Sequence, residues 1–258
     1  MSAAPVRVSP QWLQLREPAD AAARSVELAE SLRRRLAPGE LVVHDLGGGS
    51  GAMGRWLAPR LPGPQHWVVH DRDADLLELA VAGAPEGVTV DARRSDVTRL
   101  DPEDLAGASF VVASALLDLL TADELAAMLR ACAGRPLLLA LTVVGRVALA
   151  PADPLDAAIG AAFDAHQRRD GRLGPDAVAA AVALLGGAEP VVRPSPWRLG
   201  AAHADLESEW LEGWIAAACE QEPELAAAAR AYRDRRLAQI AARELSVTVE
   251  HADLLVLP

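Results

Sequence analysis

The segment "LVVHDLGGGSGAMGRW" carries the residues best suited to chemistry: Asp45, then Gly47, Gly48, Gly49, Gly51 and Gly54, directly after an apolar run. Glycine tolerates positive φ and lets a ligand approach the main chain. A helix opening inside such a loop presents free N–H groups and partial positive charge, which suits a pyrophosphate or a carboxylate. Two spacings overlap here. Gly49, Gly51 and Gly54 form G-x-G-x-x-G, the dinucleotide pattern, while Asp45, Gly47, Gly49 and Gly51 form D-x-G-x-G-x-G. An acid is poorly placed beside pyrophosphate, but it can bind the ammonium of an amino acid. Asp71 ends the next apolar run, "QHWVVHD", where doubly wound folds keep an acid for ribose hydroxyls whichever cofactor they take. Asp96, in "RRSDVTRL", follows a third run and is placed to accept a hydrogen bond from an adenine amino group.

These residues need a sheet to hold them. Apolar positions three and four apart predict a helix over 17–37, ended by Pro38-Gly39. Strands are expected at 41–46, 65–71, 88–93, 108–117 and 135–144, separated by helices, with a capping box at Thr121 and Glu124. That alternation predicts a doubly wound α/β fold, its sheet mostly parallel and covered on both faces. Beyond residue 150, helices are expected from Asp153-Pro154 to Arg168, from Gly174-Pro175 to Gly186-Gly187, and over about 204–220 and 223–243. A sixth, proline-interrupted strand (190–199) and a last strand (245–257), bent or bulged near Glu250–Ala252, complete a seven-stranded sheet. The expected organisation is one domain, 1–258, with 1–40 as a leading helical segment and the helices of 151–243 as a cap.

Composition removes several function classes. The net charge of −11 disfavours a nucleic-acid partner, because phosphate contacts need a basic surface. No apolar run approaches a membrane span, so no membrane partner is expected, and the protein is expected in the cytoplasm. Cys132 and Cys219, the only cysteines, lie far apart with no C-x-x-C, so no metal centre is expected. All 25 basic residues are arginine, which suits a GC-rich bacterial genome and excludes Schiff-base lysine chemistry. His66 and His70 are four apart, but on a strand they lie about 13 Å from one another, too far to share one ion.

Taken together, "VVHDLGGGSG", "VVHD", "SDV" and "FVVASALLDLL" resemble the class I S-adenosylmethionine-dependent methyltransferases of the small-molecule, bacterial type, over residues 17 to 144. The forty or so residues ahead of the first strand also fit this family better than a dinucleotide unit. Small-molecule members commonly carry "GCGTG" where this chain has "GGGSG", a swap that keeps the side chains small. The resemblance implies S-adenosylmethionine bound by Asp45, Gly47, Gly49 and Gly51, by Asp71 with Arg72, and by Asp96 with Val97. Ser114 and Arg16 complete that set, with Arg24 as a second reach toward the methionine carboxylate, although a surface role fits both arginines. The last strand corresponds to the family's antiparallel one.

The implied reaction is methyl transfer to an oxygen or nitrogen of a small organic acceptor. Its alternatives are a nicotinamide-dependent oxidoreductase and a non-catalytic binder of S-adenosylmethionine. The chain has "ASALLDLL" where members acting on adenine or glutamine amides show [ND]-P-P-[YF]. Asp118 and His166 are the candidate bases; Asp118 also reads as a solvent-facing carboxylate, and His166, on a stripe with Leu155, Ile159 and Ala162, as a packed histidine. Trp197, Trp210 and Trp214 belong to the cap, as core or as a clasp for a flat acceptor. Oligomeric state is not legible.

Overall fold

The computed structural model describes residues 8–185 and 189–258. Its elements run α1 (Pro10–Ala23), α2 (Val26–Arg33), β1 (Leu41–Leu46), α3 (Ala52–Leu57), β2 (Gln65–Asp71), α4 (Ala74–Ala82), β3 (Val88–Arg94), β4 (Phe110–Ser114) and α5 (Ala122–Ala131). They continue with β5 (Leu137–Ala150), α6 (Asp156–Gln167), α7 (Ala177–Leu184), β6 (Val191–Pro194), β7 (Trp197–Leu199), α8 (Ala204–Gln221), α9 (Ala226–Ala241) and β8 (Ser246–Val256). The sheet order is β3-β2-β1-β4-β5-β8-β6, with β7 also paired to β8. The pairs among β1 to β5 are parallel, and β8 runs antiparallel to β5, β6 and β7. The order reverses between β1 and β4, and in open sheets the crevice above such a point receives ligands.

One face of the sheet packs on α2 and α3 through Leu28, Leu32, Met53, Trp56 and Leu57. The opposite face packs on α5 and α7 through Leu125, Met128, Ala177 and Ala181. A second cluster joins α6, α8 and α9 to the far halves of β5 and β8, with Ile159, Leu211, Trp214, Tyr232 and Val247 inside. Among the described residues no helix is long and apolar enough to cross a membrane.

Several boundaries differ from the sequence reading. The expected single helix over 17–37 is two. Ser9 caps α1, whose first residue is Pro10, while Ser25 caps α2, its Oγ accepting from Leu28 N at 3.3 Å. The chain breaks at Arg24, with φ −56° and ψ 139°, because Ser25 N–H is given to Asp253 Oδ2 at 2.7 Å instead of a helical carbonyl. The fourth strand ends at Ser114, where Ala115 takes φ +52°. The sixth strand is divided at Ser195-Pro196 into β6 and β7, so the sheet has eight strands. The irregularity foreseen on the last strand lies across from it, in the extra residues of β5 between Leu139 and Thr142 and between Val143 and Val147. The capping box at Thr121 and Glu124 is present. The helix end placed at Gly186-Gly187 lies outside the described residues.

Asp253 is buried on β8 and holds two segments at once. Its Oδ1 accepts Leu141 N–H at 2.8 Å, at the β5 bulge, and its Oδ2 accepts Ser25 N–H. Burial raises its pKa, and these donors offset that only in part. Replacing Asp253 by alanine leaves both buried N–H groups without an acceptor, at about 1–3 kcal/mol each. A loss of about 2–5 kcal/mol in urea unfolding is expected; a loss under ~1 kcal/mol would contradict the bridge.

Candidate cofactor and acceptor site

The glycine turn follows β1 at the point where the strand order reverses. Gly49 has φ +53°, and its N–H donates to Asp71 Oδ2 at 2.9 Å, tying the turn to the end of β2. Gly48 N–H donates to the His70 carbonyl at 3.1 Å. A Cβ on Gly48 would stand 2.7 Å from Asp45 Oδ2 and 2.7 Å from Val69 Cγ1, so no side chain fits between the turn and the strand below. From the other side α1 lies across the turn. Glu17 accepts both Nε and Nη2 of Arg55 at 2.6 Å, Arg55 Nη1 donates to the Ser50 carbonyl at 2.6 Å, and Leu13 would meet a Cβ on Gly49 at 3.5 Å.

Beneath the turn lies an unusual pair. Asp45 is 0% exposed, and neither carboxylate oxygen has a hydrogen-bond partner among the described residues. Burial raises its pKa to about 7, with Arg24 pulling it down and Asp71 pushing it up. Arg24 is 4% exposed; its Nη2 donates to Ser114 Oγ at 3.1 Å, while Nε and Nη1 have no partner. Burial lowers its pKa. The guanidinium also sits 5.7 Å from the Trp56 ring centre. The two opposite charges are near enough to feel one another and yet are not bonded. A buried acid and a buried arginine with spare atoms are complementary to a zwitterion, the α-ammonium and α-carboxylate of an amino acid. Two linked phosphates would meet Asp45 with like charge.

The remaining acids stand at neighbouring strand ends. Asp71 accepts from Gly49 N–H and, through Oδ1, from Asp73 N–H at 2.9 Å. Asp96 caps the short turn Val97–Arg99, its Oδ1 accepting Thr98 N–H at 3.0 Å, Thr98 Oγ1 at 2.7 Å and Arg72 Nη2 at 2.6 Å. Burial pushes its pKa up, but these hydrogen bonds prevail and hold it below the usual carboxylate range. Arg16 forms a two-bond pair with Asp20, at 2.9 and 3.1 Å, and lies over the rings of Trp12 and Trp197. Asp118 is half-buried on the turn Leu117–Leu119 just beyond β4, rather than open to solvent. Burial raises its pKa against the charges of Arg16 and Arg172.

The structure does not bring His166 to this place. Its Nε2 faces Glu220 Oε2 at 3.3 Å on the seam of α6 and α8, where Arg169 also pairs with Glu220. His66 turns to Thr89, and His70 to His44 at 3.0 Å, so the two diverge. Trp210 stacks on buried Trp214 at 5.1 Å inside the α6–α8–α9 cluster. Trp197 alone of the three stands by α1, 6.4 Å from Trp12 and 5.4 Å from the buried ring of His251. Sequence reading missed Trp12, Arg172, His251 and Asp253. A buried acid inside the apolar stretch "HADLLVLP" was the available signal for Asp253.

A family model described as a methyltransferase domain matches residues 43–135, from β1 through the glycine turn, Asp71, Asp96 and α5. Over that stretch the chain is similar to a methyltransferase domain. Solved methyltransferase structures share the fold. A candidate type II methyltransferase of Anaeromyxobacter dehalogenans superposes with a TM-score of 0.55 at 19% identity, covering 90% of this chain and 95% of that one. A cyclopropane synthase of Mycobacterium tuberculosis superposes at 0.51 with 13% identity, covering 97% and 95%. A methyltransferase of Geobacter sulfurreducens, solved with S-adenosylhomocysteine, reaches 0.46 at 18% identity, covering 97% and 98%. No curated protein matches in sequence. The unpaired Asp45 and Arg24 beneath a side-chain-free turn fit the amino-acid end of S-adenosylmethionine.

Proposed function

We propose that this protein is a methyltransferase acting on an oxygen or nitrogen of a small organic acceptor, and that Asp45 and Arg24 hold the methionine portion of the cofactor. The observation that carries the binding assignment is the pair of buried opposite charges with unused hydrogen-bonding atoms. When bound, S-adenosylmethionine supplies an electrophilic methyl group on a sulfonium. The chain's residues do the rest. Asp45 takes the ammonium and Arg24 the carboxylate, steadied by Ser114; Arg16, whose fork is filled by Asp20, leaves that task to Arg24. Main chain at Gly47, Gly49 and Gly51 faces the ligand without side chains between. Asp71, with Arg72 beside it, takes the ribose hydroxyls, and Asp96 with Val97 borders the adenine.

Positioning and exclusion of water supply much of the acceleration in such a displacement. Asp118 is the group placed to accept the acceptor's proton, and its raised pKa makes it a stronger base than an ordinary aspartate. The leading segment and the helices of 151–243 cover the acceptor in this reading.

Calorimetric titration tests the assignment. S-adenosylhomocysteine should bind and NAD should not; binding of NAD alone would overturn it. Gly49→Val places a branched side chain at φ +53° and toward Leu13, a conformation that costs about 1–3 kcal/mol. The variant should fold, melt a few degrees lower, and bind S-adenosylhomocysteine at least about 100-fold more weakly. Unchanged affinity would remove the turn from the site.

A further inference from the structure

We infer that the acceptor is a small anion, bearing a carboxylate or phosphate that docks on Arg172 while its nucleophilic O–H or N–H faces Asp118. The inference rests on the methyl-transfer reading and names the acceptor class for that same site.

The path of the chain beyond β4 brings the two residues together. Ala115 at φ +52° turns the chain back, and Leu116 then lies 3.0 Å from where a Cβ on Gly47 would be, so this segment begins against the glycine turn. The short helical turn Leu117–Leu119 follows, pinned by buried Leu117 and carrying Asp118. At its end the Leu120 carbonyl accepts Leu173 N–H at 2.8 Å, and Thr121 forms a β-bridge with Arg172. Asp118 therefore stands between the turn that holds the cofactor and the backbone of Arg172.

Arg172 is half-buried, and among the described residues its guanidinium has neither a hydrogen bond nor an ion pair. The other half-buried arginines differ: Arg16, Arg55, Arg169, Arg193 and Arg233 are bonded to side chains, and Arg135 donates to main-chain carbonyls. Residues 1–7 and 186–188 contain no acid that would supply the missing partner. Asp118 also lacks an ion pair, although the charges of Arg172 and Arg16 both act on it. In a chain of net charge −11, an acid and an arginine lie within electrostatic reach of one another without forming an ion pair. Half-buried charges without an ion pair leave bonding capacity open, so a ligand with an anionic end and a proton-bearing end suits both groups.

Calorimetry on the protein saturated with S-adenosylhomocysteine tests this with matched probes: para-hydroxybenzoate against para-hydroxybenzamide, lactate against lactamide, and para-hydroxyphenyl phosphate against hydroquinone. At least one acid should bind roughly tenfold to 100-fold tighter than its neutral partner, the worth of one charge-assisted contact. Arg172→Leu should abolish that preference while leaving S-adenosylhomocysteine affinity unchanged, and Arg172→Lys should keep part of it. Failure of every acid to bind, equal binding of acid and neutral partner, or a preference that survives in Arg172→Leu overturns the inference. If S-adenosylhomocysteine still binds in those cases, only the acceptor class falls; if it does not bind at all, the methyl-transfer reading falls as well.

Discussion

Asp45→Asn should make the protein more stable at pH 8 and a poorer binder of its cofactor. In the folded chain the carboxyl has a pKa of about 7 against an ordinary 3.8, because burial penalises its charge more than Arg24 relieves it. Between those values the folded state holds a proton that the unfolded state has released, so stability falls as pH rises from about 4 to about 7. The protonated form's contribution is whole below the ordinary value and gone above the folded one. Asparagine removes this slope. A shift of this size corresponds to at most about 4 kcal/mol, and the unpaired amide returns about 1–3 kcal/mol of that. The expected net gain is about 1–3 kcal/mol at pH 8, a Tm rise of roughly 2–8 °C that turns into a loss near pH 4, where the parent's acid is neutral and the amide's cost remains. S-adenosylhomocysteine affinity should fall roughly tenfold to 100-fold with the lost charged contact. Because the ammonium selects the ionised acid, binding near pH 7 should release a proton in the parent and none in the variant. Calorimetry in two buffers of different ionisation enthalpy reads this directly; identical proton release would remove Asp45 from contact with the ligand.

Arg24→Met should separate binding from folding even more sharply. The guanidinium is almost wholly buried and makes one hydrogen bond, to Ser114. Removing a buried cation that is bonded to no acid relieves its desolvation cost, and Asp45, which loses its attraction, answers by keeping its proton. The cofactor's carboxylate, however, would face methionine where two unused N–H groups now wait, and Asp45 would lose the cation that favours its ionised form. S-adenosylhomocysteine affinity should drop about 100-fold or more with Tm within a few degrees of the parent. A variant that melts far lower while binding normally would make Arg24 a structural residue only.

The sheet and its ligand turn were legible because they rest on local rules. Apolar runs at regular intervals gave β1 to β5, and side-chain-free positions after an apolar strand marked the bend. What escaped was decided by partners distant in sequence. Arg24 read equally well as a surface arginine on a continuous helix; only Asp253, 228 positions after Ser25, breaks that helix and turns the guanidinium inward. Asp118 read as either a pocket residue or a solvent carboxylate, and it lies half-buried between the turn after Ala115 and the bridge to Arg172. His166 shared a stripe with apolar residues, yet its neighbour is Glu220 on a helix that periodicity could not dock. Residues 190–199 gave one strand with prolines; β6 and β7 keep one register on β8, and the break falls at Ser195-Pro196, where proline has no N–H to give.

The bridge made by Asp253 also sets an order of events during translation. Asp45 and Arg24 emerge from the ribosome early, but the break that aims Arg24 inward needs an acceptor on β8, far along the chain. A nascent chain short of that strand has the bend and its acid in place, with the arginine's helix still free to run on. The buried arrangement of Arg24 therefore waits until β8 has been made.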